Sequence, residues 1–224
     1  MIIHNCEQGT IEWSNLRLGI PTASEFHRIV TPTGALSAQS RDYAYRLVAE
    51  SLLMRPLSED ISNLPQIQHG KEYEAEAVRS YEFDNGVKTV KVGFMTNDAG
   101  DIGASPDRLV DDCGVLEIKC PQPATMVAYH VSGVIDAKYK PQIQGQLMVS
   151  GRNWCDWLAY SREMPTITIR TLRDDEYIEK LSKALADFVH MKNDIAAKLL
   201  ASGFFNHEII NPAARPAISA NHLQ

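Results

Sequence analysis

The stretch Gly103–Pro121, GASPDRLVDDCGVLEIKCP, constrains the fold more tightly than any other part of this chain. Two short apolar runs flank Asp111-Asp112-Cys113-Gly114, the pattern of a β-hairpin with its turn. Asp111 and Asp112 suit the turn. Asp107 and Glu117 instead fall inside the apolar runs, where an unpaired charge is costly. With residues 102–120 folded as a hairpin, Val110 is expected opposite Val115, and Asp107 opposite Glu117 or Ile118. In either register the two carboxylates are direct or diagonal cross-strand neighbours, roughly 5–8 Å apart at Cβ. Lys119 lies two residues beyond Glu117 and shares its face, while Ile118 points the opposite way.

Two carboxylates this close repel each other, which raises their pKa values unless a cation lies between them. A divalent ion resolves the repulsion. Hard oxygen ligands suit Mg²⁺, which keeps several waters and takes one or two carboxylates; Mn²⁺ is able to substitute. A lysine on the same face can orient or help deprotonate a metal-bound water, or stabilise charge on a phosphorane. The set is that of phosphodiester hydrolysis. On these residues alone a solvated surface hairpin is the competing reading. An acidic residue two before a lysine recurs by chance, and Asp136-Ala137-Lys138 is such a match, in a polar segment with no strand around it.

The rest of the chain supplies the frame. Apolar spacing at i,i+4 predicts a helix over Ser40–Met54, with Ser40 able to cap it and Pro56 to end it. A second helix is expected over His69–Phe83, closed by Asn85-Gly86. Strands follow at Val87–Thr96, Ile102–Val110 and Val115–Cys120. Then come a helix near Thr125–Val131, one from about Tyr139 to Ser150 with Pro141 in its first turn, and strands in WCDWLAYS and TITIRT. A long helix is predicted over Asp174–Ala201, ahead of Gly203. The expected class is α/β: a central mixed sheet flanked by helices, in one domain over residues 1–205, with a loose or interacting tail at 206–224.

No apolar run is long enough to span a bilayer, and MIIHNCEQGT does not read as a signal peptide, so no membrane association and a cytoplasmic setting are expected. The four cysteines form no C-x-x-C pair and are expected to be reduced and mostly buried, which disfavours zinc or iron–sulfur chemistry. The net charge of −6 disfavours coating nucleic acid through bulk charge; a DNA enzyme of this charge concentrates its basic groups locally.

Pro106-Asp107, nine residues, then Glu117-Ile118-Lys119 is the PD-(D/E)xK nuclease signature. EWSNLRLGIPTASEFHRI (Glu12–Ile29) resembles the N-terminal motif of the phage lambda exonuclease, or YqaJ-like viral recombinase, family. HGKEYEAEA, ASPDRLV, LEIKCP and YKPQIQGQLMVSG match that family's remaining motifs in order, from about Glu7 to Tyr160. The resemblance implies a restriction-endonuclease-like core in which Asp107, Glu117 and the backbone carbonyl of Ile118 hold Mg²⁺ and Glu74 reaches the metal site. It implies that Lys119 and Gln142 flank the attacking water, and that Arg17, Ser24 and Ser105 form a pocket for a terminal 5′-phosphate. An arginine fork with hydroxyls suits a phosphate dianion. Ile67 falls where the family places an apolar wedge that splays the duplex end.

Several of these residues carry other readings. Arg17 alone could be a surface ion pair. TASE also reads as a capping box from Thr22 to Glu25. Glu74 is one of four acidic residues between Glu72 and Glu82, and Gln142 shares a helix face with Gln146. The resemblance further implies 5′→3′ digestion of linear double-stranded DNA to mononucleotides, leaving a 3′ single strand. Its implied partners are the other subunits of a toroidal homotrimer and a single-strand annealing protein, in a bacterial or phage-infected bacterial cell. A nuclease of the same fold with other polarity or endonuclease activity, and a non-catalytic module that binds DNA ends, are the alternatives.

Overall fold

The predicted hairpin forms, one residue out of the expected register. In the computed structural model, which describes residues 1–57 and 65–203 with the side chains of 65–72 excepted, β5 (Arg108–Val110) pairs antiparallel with β6 (Gly114–Lys119). Val110 lies opposite Gly114, not Val115, and Arg108 lies opposite Leu116. The shift arises because Gly114 belongs to the strand and not to the turn. It is a glycine for packing reasons: a Cβ there would lie 2.1 Å from the Trp154 ring. Asp111 makes the turn in the left-handed conformation, φ 44°, which aspartate tolerates better than most residues. Arg152 holds this turn by donating one guanidinium nitrogen to the carbonyls of Val110, Asp111 and Gly114 at 2.8–3.1 Å.

The elements run β1 (Ile2–His4), α1 (Ile11–Arg17), a 3-10 helix (Ala23–Arg28), α2 (Ser40–Leu53), α3 (Pro65–Asn85), β2 (Thr89–Lys91), β3 (Phe94–Thr96) and β4 (Gly103–Ala104) before the hairpin. After it come α4 (Pro123–Ser132), a 3-10 turn (Ala137–Tyr139), α5 (Lys140–Ser150), β7 (Trp154–Ala159), β8 (Ile167–Leu172) and α6 (Asp175–Ala201). Five strands form a mixed sheet in the order β2-β5-β6-β7-β8, and β1-β3-β4 form a second, antiparallel sheet. Among the described strands, the one parallel pair is β6 with β7, joined by the crossover through α4 and α5. The architecture is therefore α/β, with a central mixed sheet flanked by helices.

Two strands expected to be continuous are broken. Val87–Thr96 divides at Val92-Gly93, where the chain passes so close to Cys6 that a Cβ on Gly93 would lie 2.1 Å from its carbonyl oxygen. Ile102–Val110 divides at Ser105-Pro106-Asp107, because Pro106 has no N–H to give a ladder. That break releases Ser105 and Asp107 from regular pairing. Helix ends differ in detail. Ser40 does not cap α2; the cap is Gln39, and the helix ends on Met54 in the left-handed region before Pro56 is reached. Asp174 caps α6, accepting from the Tyr177 N–H at 3.0 Å.

Alternation along β6 sends side chains to two separate cores. Leu116 and Ile118 pack with Ala77, Val78 and Tyr81 of α3. Val115 joins the larger core built from α2, α5, α6 and the 3-10 helix, where Tyr43 stacks on Phe188 at 5.4 Å. In that core Gly145 of α5 receives the Phe26 ring, which would sit 2.4 Å from a Cβ. The four cysteines are free thiols, as expected, yet only Cys155 is buried and Cys113 is exposed at the hairpin turn. Among the described residues no helix is long and apolar enough to cross a membrane. Residues 206–224, read from sequence as a tail, lie outside the described residues.

One buried polar network ties α3 to the sheet. Asp156 on β7 is 1% exposed. It accepts from the Tyr81 hydroxyl at 2.6 Å and from both Arg170 Nε and Nη2, at 2.7 and 2.8 Å. Removing one donor from a buried carboxylate leaves desolvation uncompensated. Tyr81→Phe is therefore expected to lower unfolding stability by about 1–3 kcal/mol, read from urea denaturation of the purified variant.

Candidate active site

The centre of the site is Glu117 on β6. Its side chain is 4% exposed, and three donors surround it. Lys119 Nζ reaches Oε1 at 2.5 Å, Gln142 Nε2 reaches the same oxygen at 2.6 Å, and Gln146 Nε2 reaches Oε2 at 2.6 Å. The lysine is there because strand alternation returns to the same face after two residues. The glutamines are there because they stand one helical turn apart on α5, which packs across that face. Continuing the hairpin register brings Asp107 across from Glu117, just beyond the last paired residue. Asp107 Oδ2 accepts from the Ile118 N–H at 2.6 Å.

Burial, then the charge of Glu117, holds the Asp107 carboxyl well above the usual carboxylate range. Lys119 and the Ile118 N–H pull it back, and Glu74 adds a smaller upward push. For Lys119, burial works to lower the pKa, but the attraction of Glu117 and Asp107 outweighs it and the net shift is upward. Burial first, then Asp107, pushes the neighbouring Cys120 thiol to about 11. The donor set is hard oxygen: two carboxylates on adjacent strands beside the Ile118 carbonyl. That set fits Mg²⁺ or Mn²⁺ completed by water. Among the described residues no three His, Cys, Asp or Glu side chains come together as a ready metal cage.

Glu74 stands apart from the pair. It comes from α3, on the other side of the sheet, and its carboxylate lies 3.5 Å from Arg108 Nη2. Its neighbours on that helix have other partners: Glu76 pairs with Arg162, and Glu82 accepts from the N–H and hydroxyl of Thr89. Among the described side chains of α3, Glu74 is the acidic one at the edge of the site. The side chain of Ile67 lies outside the described residues. Asp136 and Lys138, the second acid-x-lysine match, pair with each other at 2.9 Å, both well exposed at the start of a 3-10 turn.

Arg17, Ser24 and Ser105 do come together. Arg17 Nη1 donates to Ser105 Oγ at 3.3 Å, and Nη2 donates to Thr22 Oγ1 at 3.3 Å. Thr22 Oγ1 lies 3.5 Å from Ser24 Oγ. Trp13 stacks on the Arg17 guanidinium at 4.1 Å from its ring centroid and donates its indole N–H to Ser105 Oγ at 3.0 Å. Among the described residues no carboxylate pairs with Arg17, whose partners are Ser105, Thr22 and the Trp13 ring. The capping box fails. Thr22 makes no side-chain cap, and Glu25 turns instead to Arg28 and Arg46, at 2.5 and 2.9 Å. With the box unmade, Thr22 and Ser24 keep their hydroxyls near Arg17.

Residues 12–153 match the family described as the YqaJ-like viral recombinase domain, well over half of the chain. The chain belongs to this family. Among solved structures, the alkaline exonuclease LHK-Exo from Laribacter hongkongensis matches at TM-score 0.78 and 28% identity, covering 87% of this chain and 98% of that one. LHK-Exo in complex with dAMP matches at TM-score 0.77, with the same identity and coverage. A phage related exonuclease from Haemophilus somnus 129PT matches at TM-score 0.61 and 15% identity, over 80% of this chain and 96% of that one, and shows the fold alone. No curated protein sequence matches. The fold is accordingly the PD-(D/E)xK nuclease core of the YqaJ-like family.

Trp13, Thr22, Arg108 and Gln146 escaped the sequence reading as members of these groups. Only Gln146 left a usable signal, its placement one turn after Gln142. The electrostatics of Asp107 make a measurable difference. Below the unfolded aspartate pKa, about 3.9, the carboxyl is protonated in both states and exerts no penalty. As pH rises, the folded state resists ionisation, and stability falls until pH passes the raised folded value. Metal-free Asp107→Asn is therefore expected to be more stable than the parent at pH 7, with the gap narrowing toward pH ~4. Denaturant melts in chelator at both pH values check this, and a pH-independent gap would contradict it.

Proposed function

We propose that this YqaJ-family chain is a Mg²⁺-dependent 5′→3′ exonuclease that digests linear double-stranded DNA from a 5′-phosphorylated end to mononucleotides. The observation that carries the proposal is the segment Ser105-Pro106-Asp107. Ser105 belongs to the cluster of Arg17, Thr22 and Ser24, and Asp107 belongs to the cluster of Glu117 and Lys119. Two residues of chain separate their Cα atoms by at most about 7 Å, a separation on the scale of one nucleotide. A terminal phosphate held by the first cluster leaves the next phosphodiester at the second, which favours a mononucleotide product.

Each residue has a chemical task in this reading. Arg17 binds the terminal phosphate through its fork, with the hydroxyls of Ser24, Thr22 and Ser105 around it. Burial lowers the Arg17 pKa, with Tyr43, Glu25 and Glu50 opposing the shift, but an arginine remains charged in this range. Asp107, Glu117 and the Ile118 carbonyl hold the cation. When bound, Mg²⁺ supplies Lewis-acid polarisation of the phosphoryl oxygen and a more acidic water. Lys119, cationic and beside Glu117, orients that water and offsets charge on the phosphorane. Gln142 fixes the other side of the water's position. The 28% identical alkaline exonuclease and the family description support nuclease chemistry. Under the same reading the partners are a toroidal homotrimer around the duplex and a single-strand annealing protein that takes up the 3′ strand.

The test is digestion of end-labelled linear duplexes in Mg²⁺, with the 5′-phosphate placed on one strand at a time. The phosphorylated strand is expected to be digested first, to mononucleotides, and Arg17→Ala is expected to reduce that preference. Equal rates on 5′-phosphate and 5′-hydroxyl ends would remove the pocket assignment. Lys119→Ala is expected to slow digestion by roughly 100-fold or more, and near-parental activity would sink the mechanism. Cleavage of closed circular DNA would replace it with an endonuclease.

A further inference from the structure

Helix α5 carries glutamines at 142, 144 and 146, and their environments differ. Gln144 is structural: its Nε2 donates to the Leu172 carbonyl and its Oε1 accepts from the Asp174 N–H, both at 2.9 Å, tying the end of β8 to the start of α6. Gln142 shares Glu117 Oε1 with Lys119. Gln146 donates to Oε2. Facing a carboxylate, only the NH₂ end of the amide can make the bond, so its orientation is fixed by chemistry. The residue is 1% exposed, and its own Oε1 has no donor among the described residues. Burying an unmet acceptor is unfavourable, and a methionine of similar size would avoid it. What glutamine adds at this place is the N–H directed at Glu117.

An ionised carboxylate offers about four lone-pair sites. Lys119 and Gln142 engage the two on Oε1, and Gln146 engages one of the two on Oε2. The site left is on Oε2, and its direction depends on the rotation of the carboxylate group. Donors on Oε1 alone restrain that rotation from one end; the Gln146 bond restrains it from the other. We propose that Gln146 is a positioning residue that acts through Glu117, holding the carboxylate in the rotation that presents Oε2 to the divalent cation. The inference rests on the reading that Glu117 is a metal ligand. It follows the general behaviour of hydrogen-bonded partners behind metal-binding carboxylates, which orient the ligand without touching the metal.

The test is calorimetric titration of the DNA-free full-length chain with Mn²⁺, comparing the parent with Gln146→Met, both verified as folded by circular dichroism. The dissociation constant is expected to rise by about 10–100-fold in the variant. The Mn²⁺ concentration for half-maximal DNA digestion is expected to rise in parallel, while the rate at saturating Mn²⁺ stays within a few-fold of the parent. A merely structural role would not divide the effect in this way. Parental Mn²⁺ affinity in folded Gln146→Met overturns the inference, and so does a rate that saturating Mn²⁺ leaves depressed by orders of magnitude. If Gln146→Met fails to fold, Gln146→Asn, one methylene too short to reach Glu117, is read by the same titration with the same expectations. A parent chain that binds no Mn²⁺ overturns the metal reading together with this inference. A metal-binding parent with an indifferent variant removes the inference alone.

Discussion

A carboxylate buried in the middle of a sheet needs partners, and much of the site is the answer to that need. Glu117 sits on β6, the central strand, where little of it meets solvent. Its donors come from its own strand and from α5, so α5 must lie across that face of the sheet. The crossover from β6 to β7 brings it there, and the parallel pairing of those strands follows from the same connection. Asp107 is then brought opposite by the hairpin, close enough for its ionisation to be opposed. The unfavourable placing of one carboxylate beside another is thus built on the favourable placing of the first.

The parts of this arrangement legible in the sequence were those governed by short periods. The two-residue repeat of a strand put Lys119 beside Glu117, and a turn between two apolar runs put Asp107 across from it. The order of helices and strands was legible for the same reason. Register was not, because whether Gly114 belongs to turn or strand depends on the Trp154 ring, far along the chain. The capping box at Thr22 and Glu25 was a sound local pattern that lost to tertiary contacts: Arg17 takes the threonine and Arg28 with Arg46 take the glutamate. Trp13, Arg108 and Gln146 acquire their places only when distant elements meet. Glu74 was singled out by resemblance alone, and the structure puts it against Arg108 and only at the margin of the carboxylate pair.

The sheet keeps its two faces for different purposes. On one, α5 and the 3-10 helix bring the polar groups of the site together. On the other, α3 is fastened through Tyr81 to Asp156, whose remaining bonds go to Arg170 on the outer strand β8. That second buried carboxylate has both its oxygens engaged by neighbouring side chains and a structural task. Glu117, buried to a similar degree, likewise has both oxygens engaged by side chains, but it faces a second carboxylate, Asp107. Burial alone does not separate the two acids; the nearness of a second carboxylate does.

The packing of Phe26 into the gap at Gly145 links two regions that are separate in the chain. One lies on the 3-10 helix, with Ser24; the other lies on α5, with Gln142 and Gln146. Any side chain at position 145 would wedge them apart, so the offset between the hydroxyls beside Arg17 and the amides on Glu117 is set by an atom that is missing. It cannot be tuned gradually by swapping one aliphatic residue for another, as most interior distances can. The molecule in effect carries a fixed gauge, with its zero mark at a hydrogen.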